Sequence, residues 1–76
     1  MRNLPRVDKK GTGDNIKRLM RLKHMSISQM QLEMGMASAT NIYAWCRGEV
    51  IPSADRLIHL TILLDCTLED ILAIEE

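Results

Sequence analysis

The side chains in this sequence best suited to chemistry lie between Ser38 and Arg47, and they suit hydrogen bonding to a partner rather than catalysis. Thr40 and Asn41 carry short groups that both donate and accept hydrogen bonds, and Tyr43 adds a hydroxyl on an aromatic ring. Such groups pair with the exposed edges of nucleic-acid bases, and the threonine methyl packs against the methyl group of thymine. On the free side of a helix, these residues would form a surface for reading DNA.

A short helix is predicted immediately before this segment. Ser26 and Gln29 form a Ser-x-x-Gln capping box, in which each side chain satisfies an amide of the first helical turn. Gly35 is predicted to end the helix in a left-handed conformation, because glycine adopts a positive φ without a steric penalty. The chain therefore turns at Gly35 before the polar segment begins.

A second short helix is predicted over residues 38–46, with Ser38 as its cap. Ile42 and Trp45 lie three residues apart and form its buried side. Gly48 is the natural end of this helix. Two helices joined by a glycine turn are typical of a helix-turn-helix unit, whose second helix keeps its outer side free to enter a major groove.

Three more helices are predicted from caps and apolar spacing. Asp14 is predicted to cap the first helix, which runs to about Lys23. Ser53 caps a fourth helix, and Thr67 with Asp70 begins a short fifth one. Their apolar stripes are Ile16, Leu19 and Met20, then Leu57, Leu60 and Leu64, then Leu68, Ile71, Leu72 and Ile74. No segment alternates like a strand, so we expect an all-α fold of five helices without a sheet.

The charge is unevenly distributed along a chain that is neutral as a whole. Residues 1–48 carry nine Lys and Arg against three Asp and Glu, whereas residues 49–76 carry one against seven. The predicted helix-turn-helix unit lies in the basic part. A neutral domain of this kind can still present a positive face to nucleic acid.

Residues 1–12 are predicted to form a flexible basic arm, followed by a helix-turn-helix domain over residues 13–76. The arm holds Arg2, Arg6, Lys9 and Lys10 and has no apolar periodicity. Such an arm can follow the minor groove of DNA, and a merely disordered tail is the alternative.

Several other protein classes are disfavoured. Cys46 and Cys66 lie twenty residues apart without a Cys-x-x-Cys pair, so neither a disulfide framework nor a zinc site is indicated. The longest mainly apolar run, Leu57 to Leu64, is shorter than the ~20 residues of a membrane span. No paired carboxylates, activated nucleophile or phosphate-binding glycine loop is recognisable. We expect a cytoplasmic protein that is not an enzyme and uses no cofactor, metal or small-molecule ligand.

Together these features resemble the Cro/C1-type, or XRE-like, helix-turn-helix domains of phage repressors and bacterial regulators. The resemblance covers about residues 13–74. Its anchors are Gly13-Asp-Asn-Ile-Lys-Arg-Leu19, Met34-Gly35, Ile42-Tyr-Ala-Trp45, Arg47-Gly48-Glu49, Pro52-Ser53, Leu57-Ile-His-Leu60 and Thr67-Leu-Glu-Asp-Ile71. It implies a compact five-helix, lambda-repressor-like fold and a sequence-specific DNA-binding transcriptional regulator, expected to be a repressor.

The chain departs from the family pattern at two places. Gln31 stands where the family usually has a small residue, and the interval from Gly35 to Trp45 is one residue longer than is common. We therefore expect a remodelled turn. Asp65 replaces the usual glycine between the fourth and fifth helices, at a site that often needs a left-handed backbone.

The resemblance implies that the third helix enters the major groove while the second helix and the loop after the third contact phosphates. The matching residues are Ser38, Ala39, Thr40, Asn41, Tyr43 and Ala44 at or near the bases, with Ser28, Gln29 and Arg47 at phosphates. Alternatives stay open. Thr40 and Asn41 can be ordinary solvated residues, Tyr43 can lie against a neighbouring helix, and Gln29 can be occupied by its capping role.

Double-stranded DNA is the expected partner, bound by a homodimer on half-sites about 34 Å apart. Leu63, Leu72 and Ile74 are candidates for the dimer interface, because the end of the chain exposes more apolar positions than it can cover. The alternative function is a protein-interaction module or an antitoxin-like partner on the same fold. One observation supports this alternative: the outer side from Ser38 to Ala44 has no Lys or Arg.

Overall fold

Over residues 2–75, the part of the chain that it describes, the computed structural model contains five helices and a small sheet. The helices are α1 (Lys9–Leu22), α2 (Ile27–Glu33), α3 (Thr40–Arg47), α4 (Ala54–Leu63) and α5 (Leu68–Ile71). The strands β1 (Arg6–Val7) and β2 (Ile74–Glu75) pair antiparallel. The predicted five-helix fold is confirmed, and the prediction of no sheet is wrong.

The first helix begins earlier than the sequence predicted. Asp8, not Asp14, caps α1, because the Asp8 carboxylate accepts a hydrogen bond from the amide of Gly11 at 3.1 Å. Residues 9–12 therefore belong to α1 and not to an arm, and the predicted boundary at residue 12 is wrong. Asp14 lies inside the helix, where its carboxylate is 2.9 Å from the ammonium group of Lys10.

The first helix contains Gly13 because α3 packs closely against it at this position. A Cβ atom on Gly13 would lie 2.4 Å from the carbonyl oxygen of Trp45 and 2.8 Å from that of Cys46. Glycine disfavours the interior of a helix by about 1 kcal/mol relative to alanine. At Gly13 it permits the backbone of α3 to pack directly on α1. This tertiary contact outweighs the local propensity on which the sequence prediction depended.

The two chain ends meet beside the start of α1. The amide of Asp8 donates to the carbonyl oxygen of Ala73 at 2.8 Å, and the amide of Ala73 donates to the hydroxyl oxygen of buried Thr12 at 3.0 Å. The predicted fifth helix is too long, because α5 ends at Ile71 and the chain becomes extended. Ile74 accordingly lies in β2 and not in the helix.

The core draws on every helix. Ile42 is fully buried and Trp45 is 4% exposed, as predicted for the inner side of α3. The other fully buried apolar side chains are Ile16, Met30, Leu60, Leu64 and Ile71. No helix between residues 2 and 75 is both long and apolar enough to cross a membrane.

Other local predictions are confirmed. Both capping boxes form, and Ser53 caps α4. Asp65 adopts the predicted left-handed backbone with φ 49°. The first helix ends at Leu22, close to the predicted end near Lys23, and His24 just beyond it has φ 53°.

Candidate nucleic-acid interface

The start of α3 differs from the prediction. The helix begins at Thr40 with Ala39 at the N-cap position, so the predicted helix over residues 38–46 and its Ser38 cap are wrong. The Ser38 hydroxyl donates to the hydroxyl oxygen of Thr40 at 3.2 Å, and its oxygen accepts from the backbone amide of Thr40 at 3.4 Å. Ser38 therefore orients the first side chain of α3.

The outer side of α3 is centred on three residues. Thr40, Ala44 and Arg47 follow the i, i+4, i+7 spacing that places side chains on one helical face, opposite Ile42. Tyr43 is 48% exposed on one flank of this face, and exposed Asn41 lies on the other. The predicted orientation of the helix, with Ile42 inside and Thr40 outside, is confirmed.

The turn between α2 and α3 is held by side chains as well as by backbone. Gly35 has φ 64°, as predicted. The side-chain amide of Gln31 donates to the carbonyl oxygen of Met36 at 3.3 Å, and the guanidinium of Arg56 donates to the carbonyl oxygen of Met34 at 3.0 Å. Gln31 thus takes part in the turn itself, and α4 contributes to positioning it.

A groove of about 970 Å³ lies between α1, the start of α2 and the second half of α3. Three of its lining cations, Lys10, Lys17 and Arg21, lie on α1 at the spacing i, i+7, i+11 and therefore on one side of that helix. Arg47 adds a fourth cation from the end of α3. The groove is a concave surface with a basic rim.

The floor of the groove is apolar. Met20 and Cys46 are buried, and Met25 and Ile27 are half-buried. Burial raises the pKa of the Cys46 thiol, so this group remains protonated and neutral near pH 7. Tyr43 lines the groove beside them. Tyr43, which is 48% exposed, therefore shares this groove with the cations of α1.

Two carboxylates partly neutralise the rim. Hydrogen bonds from Lys10 and then Lys17 hold the pKa of the Asp14 carboxyl below its usual value. Arg47 donates to both carboxylate oxygens of Glu49, one at 3.2 Å, and this lowers the pKa of Glu49. A polyanion that binds the groove therefore competes with these carboxylates for the same cations.

The predicted residues of α2 lie close to the groove but do not form its edge. Ser26 and Ile27 line it, whereas Ser28 and Gln29 are exposed further along the helix. The side-chain oxygen of Gln29 accepts from the amide of Ser26 at 2.9 Å, as its capping role requires. The sequence prediction placed Lys10 in an arm and did not propose Lys17 and Arg21 as phosphate contacts, although their i, i+4 spacing on the first helix would have identified a basic ridge.

The residues between 2 and 75 contain no cluster of three His, Cys, Asp or Glu that could hold a metal ion. Sequence and structure comparisons instead relate the chain to DNA-binding domains. A family model described as the Cro/C1-type HTH DNA-binding domain matches residues 15–76. No curated protein matches the chain.

Solved structures share the fold at low sequence identity. The restriction-modification controller protein C.AhdI from Aeromonas hydrophila is 19% identical, with a TM-score of 0.74 over 84% of this chain and 96% of that one. The DNA-binding domain of BldD is 15% identical, with a TM-score of 0.73 over 87% and 94%. The S. venezulae BldD DNA-binding domain is 15% identical, with a TM-score of 0.72 over 87% and 97%.

Proposed function

We propose, from the premise that the chain belongs to the Cro/C1-type helix-turn-helix DNA-binding domain family, that this DNA-binding regulator reads the major groove with the outer side of α3. One observation carries the proposal. The outer side of α3, with exposed Thr40 and half-buried Ala44, adjoins a groove whose rim bears four cations. A base-reading surface and a phosphate-binding surface are thus side by side.

In the proposed complex, α3 lies in the major groove and a phosphate backbone runs along the groove beside it. Lys10, Lys17 and Arg21 contact phosphates from α1, while Arg47 contacts them after exchanging Glu49 for a phosphate oxygen. The Tyr43 hydroxyl adds a hydrogen bond from the flank of α3. Ser28 and Gln29, proposed from the sequence, supply phosphate contacts from α2.

We propose that the regulator acts as a homodimeric repressor. Leu32 is 81% exposed on α2 and Ile62 is 71% exposed on α4, with Ile58 one turn before it. Burying these side chains against a second copy removes apolar surface from water. Of the residues proposed from the sequence, Ile74 is exposed, whereas Leu63 and Leu72 are half-buried and contribute less. A dimer that occupies an operator represses by excluding other proteins from it.

The proposal is tested by selecting bound duplexes from a random library and then titrating the selected duplex at several salt concentrations. We expect an inverted repeat with half-site centres about one helical turn apart. The logarithm of the association constant should fall linearly with that of the salt concentration, by about 0.9 for each phosphate contact. No binding at low salt, or binding without a salt dependence, would contradict the proposal.

The second candidate function is a protein-interaction module or antitoxin-like partner, and exposed Leu32, Ile58 and Ile62 favour it. The charge-reversal variant Lys17→Glu with Arg47→Glu separates the two functions. Loss of duplex binding with retained partner capture supports DNA as the ligand of the groove. Intact duplex binding with altered partner capture supports the interaction module.

A further inference from the structure

We infer that α3 recognises A·T base pairs within its half-site by contacting the methyl groups of thymine. This inference rests on the proposed function, because it concerns the bases that the outer side of α3 would meet. The middle of that side presents Thr40 and Ala44, one helical turn apart. The side chains nearest to the bases are therefore short and uncharged.

The same surface is poorly equipped to read guanine. Guanine is most often recognised by an arginine or lysine that donates to its O6 and N7 atoms. Residues 38–46 contain neither amino acid, and they contain no glutamine. Arg47 comes only at the end of α3, where its guanidinium donates to Glu49. The centre of this side thus offers a hydroxyl and aliphatic carbon, and exposed Asn41 on its flank carries an amide of the kind that pairs with adenine.

Thr40 matches thymine in two ways at once. Its hydroxyl oxygen accepts a hydrogen bond from Ser38 at 3.2 Å and keeps its own hydrogen available to donate. Thymine presents the acceptor O4 and a methyl group side by side in the major groove. One base can therefore satisfy the hydroxyl and the methyl group of Thr40 together.

Ala44 extends the apolar contact to a neighbouring base. Its side chain is a single methyl group on the same face as Thr40, so the helix backbone can approach the base edges closely. Tyr43 faces the groove beside α1 and does not crowd this contact. Thr40 and Ala44 are consequently the residues that determine the preference for thymine.

Replacing thymine by uracil tests the inference, because it removes the methyl group and leaves the base-pairing edge unchanged. Each thymine of the selected duplex is replaced in turn, and binding is measured across a range of salt concentrations. Loss of one buried methyl contact should weaken binding about fourfold. The slope of the salt dependence should stay the same, because the phosphate contacts are unaffected.

Two variants assign the methyl contacts to residues. Thr40→Ser keeps the hydroxyl but removes the methyl group, so it should abolish the uracil effect at one base position. Ala44→Gly should abolish it at a neighbouring position, with thermal unfolding used to confirm that the variant is folded. Arg18→Gln, a change on α1 outside the lining of the groove, is the matched control and should retain both uracil effects in full.

The possible failures are distinguishable. A selected half-site with G·C pairs at its centre, or duplex binding that uracil leaves unchanged at every position, would overturn the methyl inference while the proposed function stands. An undiminished uracil effect in both Thr40→Ser and Ala44→Gly would overturn the assignment to these residues. Absence of binding to any duplex at low salt would overturn the inference and the proposed function together.

Discussion

Two surfaces of this domain expose opposite kinds of chemistry. The basic face, defined by Lys10, Lys17, Arg21 and Arg47 with the outer side of α3, carries cations around an apolar floor. Away from this face, Ile58 and Ile62 expose aliphatic side chains one turn apart on α4, and Leu32 is exposed on α2. The first attracts a polyanion, whereas the second is stabilised by burial against another protein.

The comparison teaches that net charge is a poor guide to the ligand of a small domain. The chain is neutral overall, yet all four cations of the basic face come from residues 1–48. Most of the acidic residues lie after Arg47 in the sequence, and α4 and α5 carry several of them. The packing of α1 on α3 assembles the cations into one surface, so the basic face depends on that packing.

The largest expected effect comes from disrupting this packing with Gly13→Ala. The added Cβ would lie 2.4 Å from the carbonyl oxygen of Trp45, and a backbone atom at that distance cannot move aside without displacing α3. We expect a loss of about 2–3 kcal/mol in the free energy of unfolding, measured by urea denaturation.

Gly35→Ala is the matched control. Gly35, unlike Gly13, has a positive φ, and apart from its chain neighbours no described atom lies within 4 Å of an added Cβ. Its loss should be about 1–2 kcal/mol, from backbone strain alone. A smaller loss for Gly13→Ala than for Gly35→Ala would contradict the account of the packing.

Gly13 also marks the limit of what the sequence predicts. Ile42 and Trp45, the glycine turn and both capping boxes follow from local spacing and local hydrogen bonding, and all were predicted. Residues 9–12 were misassigned because Gly11 and Gly13 are poor helix formers, and only α3 and Ala73 explain their presence. The sheet was also missed because it depends on a distant contact. Val7 pairs with Ile74, which is far from it in the sequence, so no local pattern indicates the pairing.

The candidate site likewise has one part that the sequence predicted and one part that it did not. The outward direction of Thr40 and the buried position of Ile42 were predictable from helical periodicity. The groove was not, because it exists only where α1 crosses α3. The spacing of Lys17 and Arg21 indicates a basic ridge, but only the fold shows that this ridge borders a groove shared with α3.

The next largest effect concerns the charge of the basic face. Arg21 lines the groove, whereas Arg18 lies on another side of α1 and donates to Asn15 at 3.3 Å. Arg21→Gln should weaken duplex binding on the order of tenfold near 0.1 M salt and reduce the salt slope by about 0.9. Arg18→Gln removes the same charge from the same helix and should change neither quantity. Equal effects of the two variants would mean that overall charge, and not the groove, controls binding.

A smaller effect of opposite sign is expected for Glu49→Gln. Removing this carboxylate frees the guanidinium of Arg47 for phosphate and lowers the negative charge at the rim. Duplex binding should become roughly threefold tighter, within the range of an exposed ion pair. Fluorescence anisotropy with labelled duplex measures the change. Unchanged or weaker binding would indicate that Glu49 does not compete with DNA for Arg47.

The smallest expected effect is on stability and not on DNA binding. It concerns the Asp70 carboxyl in α5, outside the basic face. Hydrogen bonds from the amide and then the hydroxyl of Thr67 lower the pKa of the Asp70 carboxyl in the folded protein. Its stabilising contribution is therefore complete above the unfolded pKa of about 3.9 and is lost as the pH falls through the lower folded value.

Urea denaturation between pH 6 and pH 3 measures this contribution. The wild type should lose slightly more stability on acidification than Asp70→Asn, which retains a side-chain acceptor but does not titrate. Identical pH dependence of the two proteins would show that the Thr67 cap does not depend on the Asp70 charge.

The basic face is tested most directly by titrating the isotopically labelled protein with its selected duplex and following the backbone amide signals by NMR. We predict shifts concentrated in the start of α2, in α3 from Thr40 to Arg47 and around Lys17 and Arg21, with the amides of Ile58 and Ile62 unaffected in a half-site complex. Shifts concentrated on α4, with α3 unperturbed, would contradict the account.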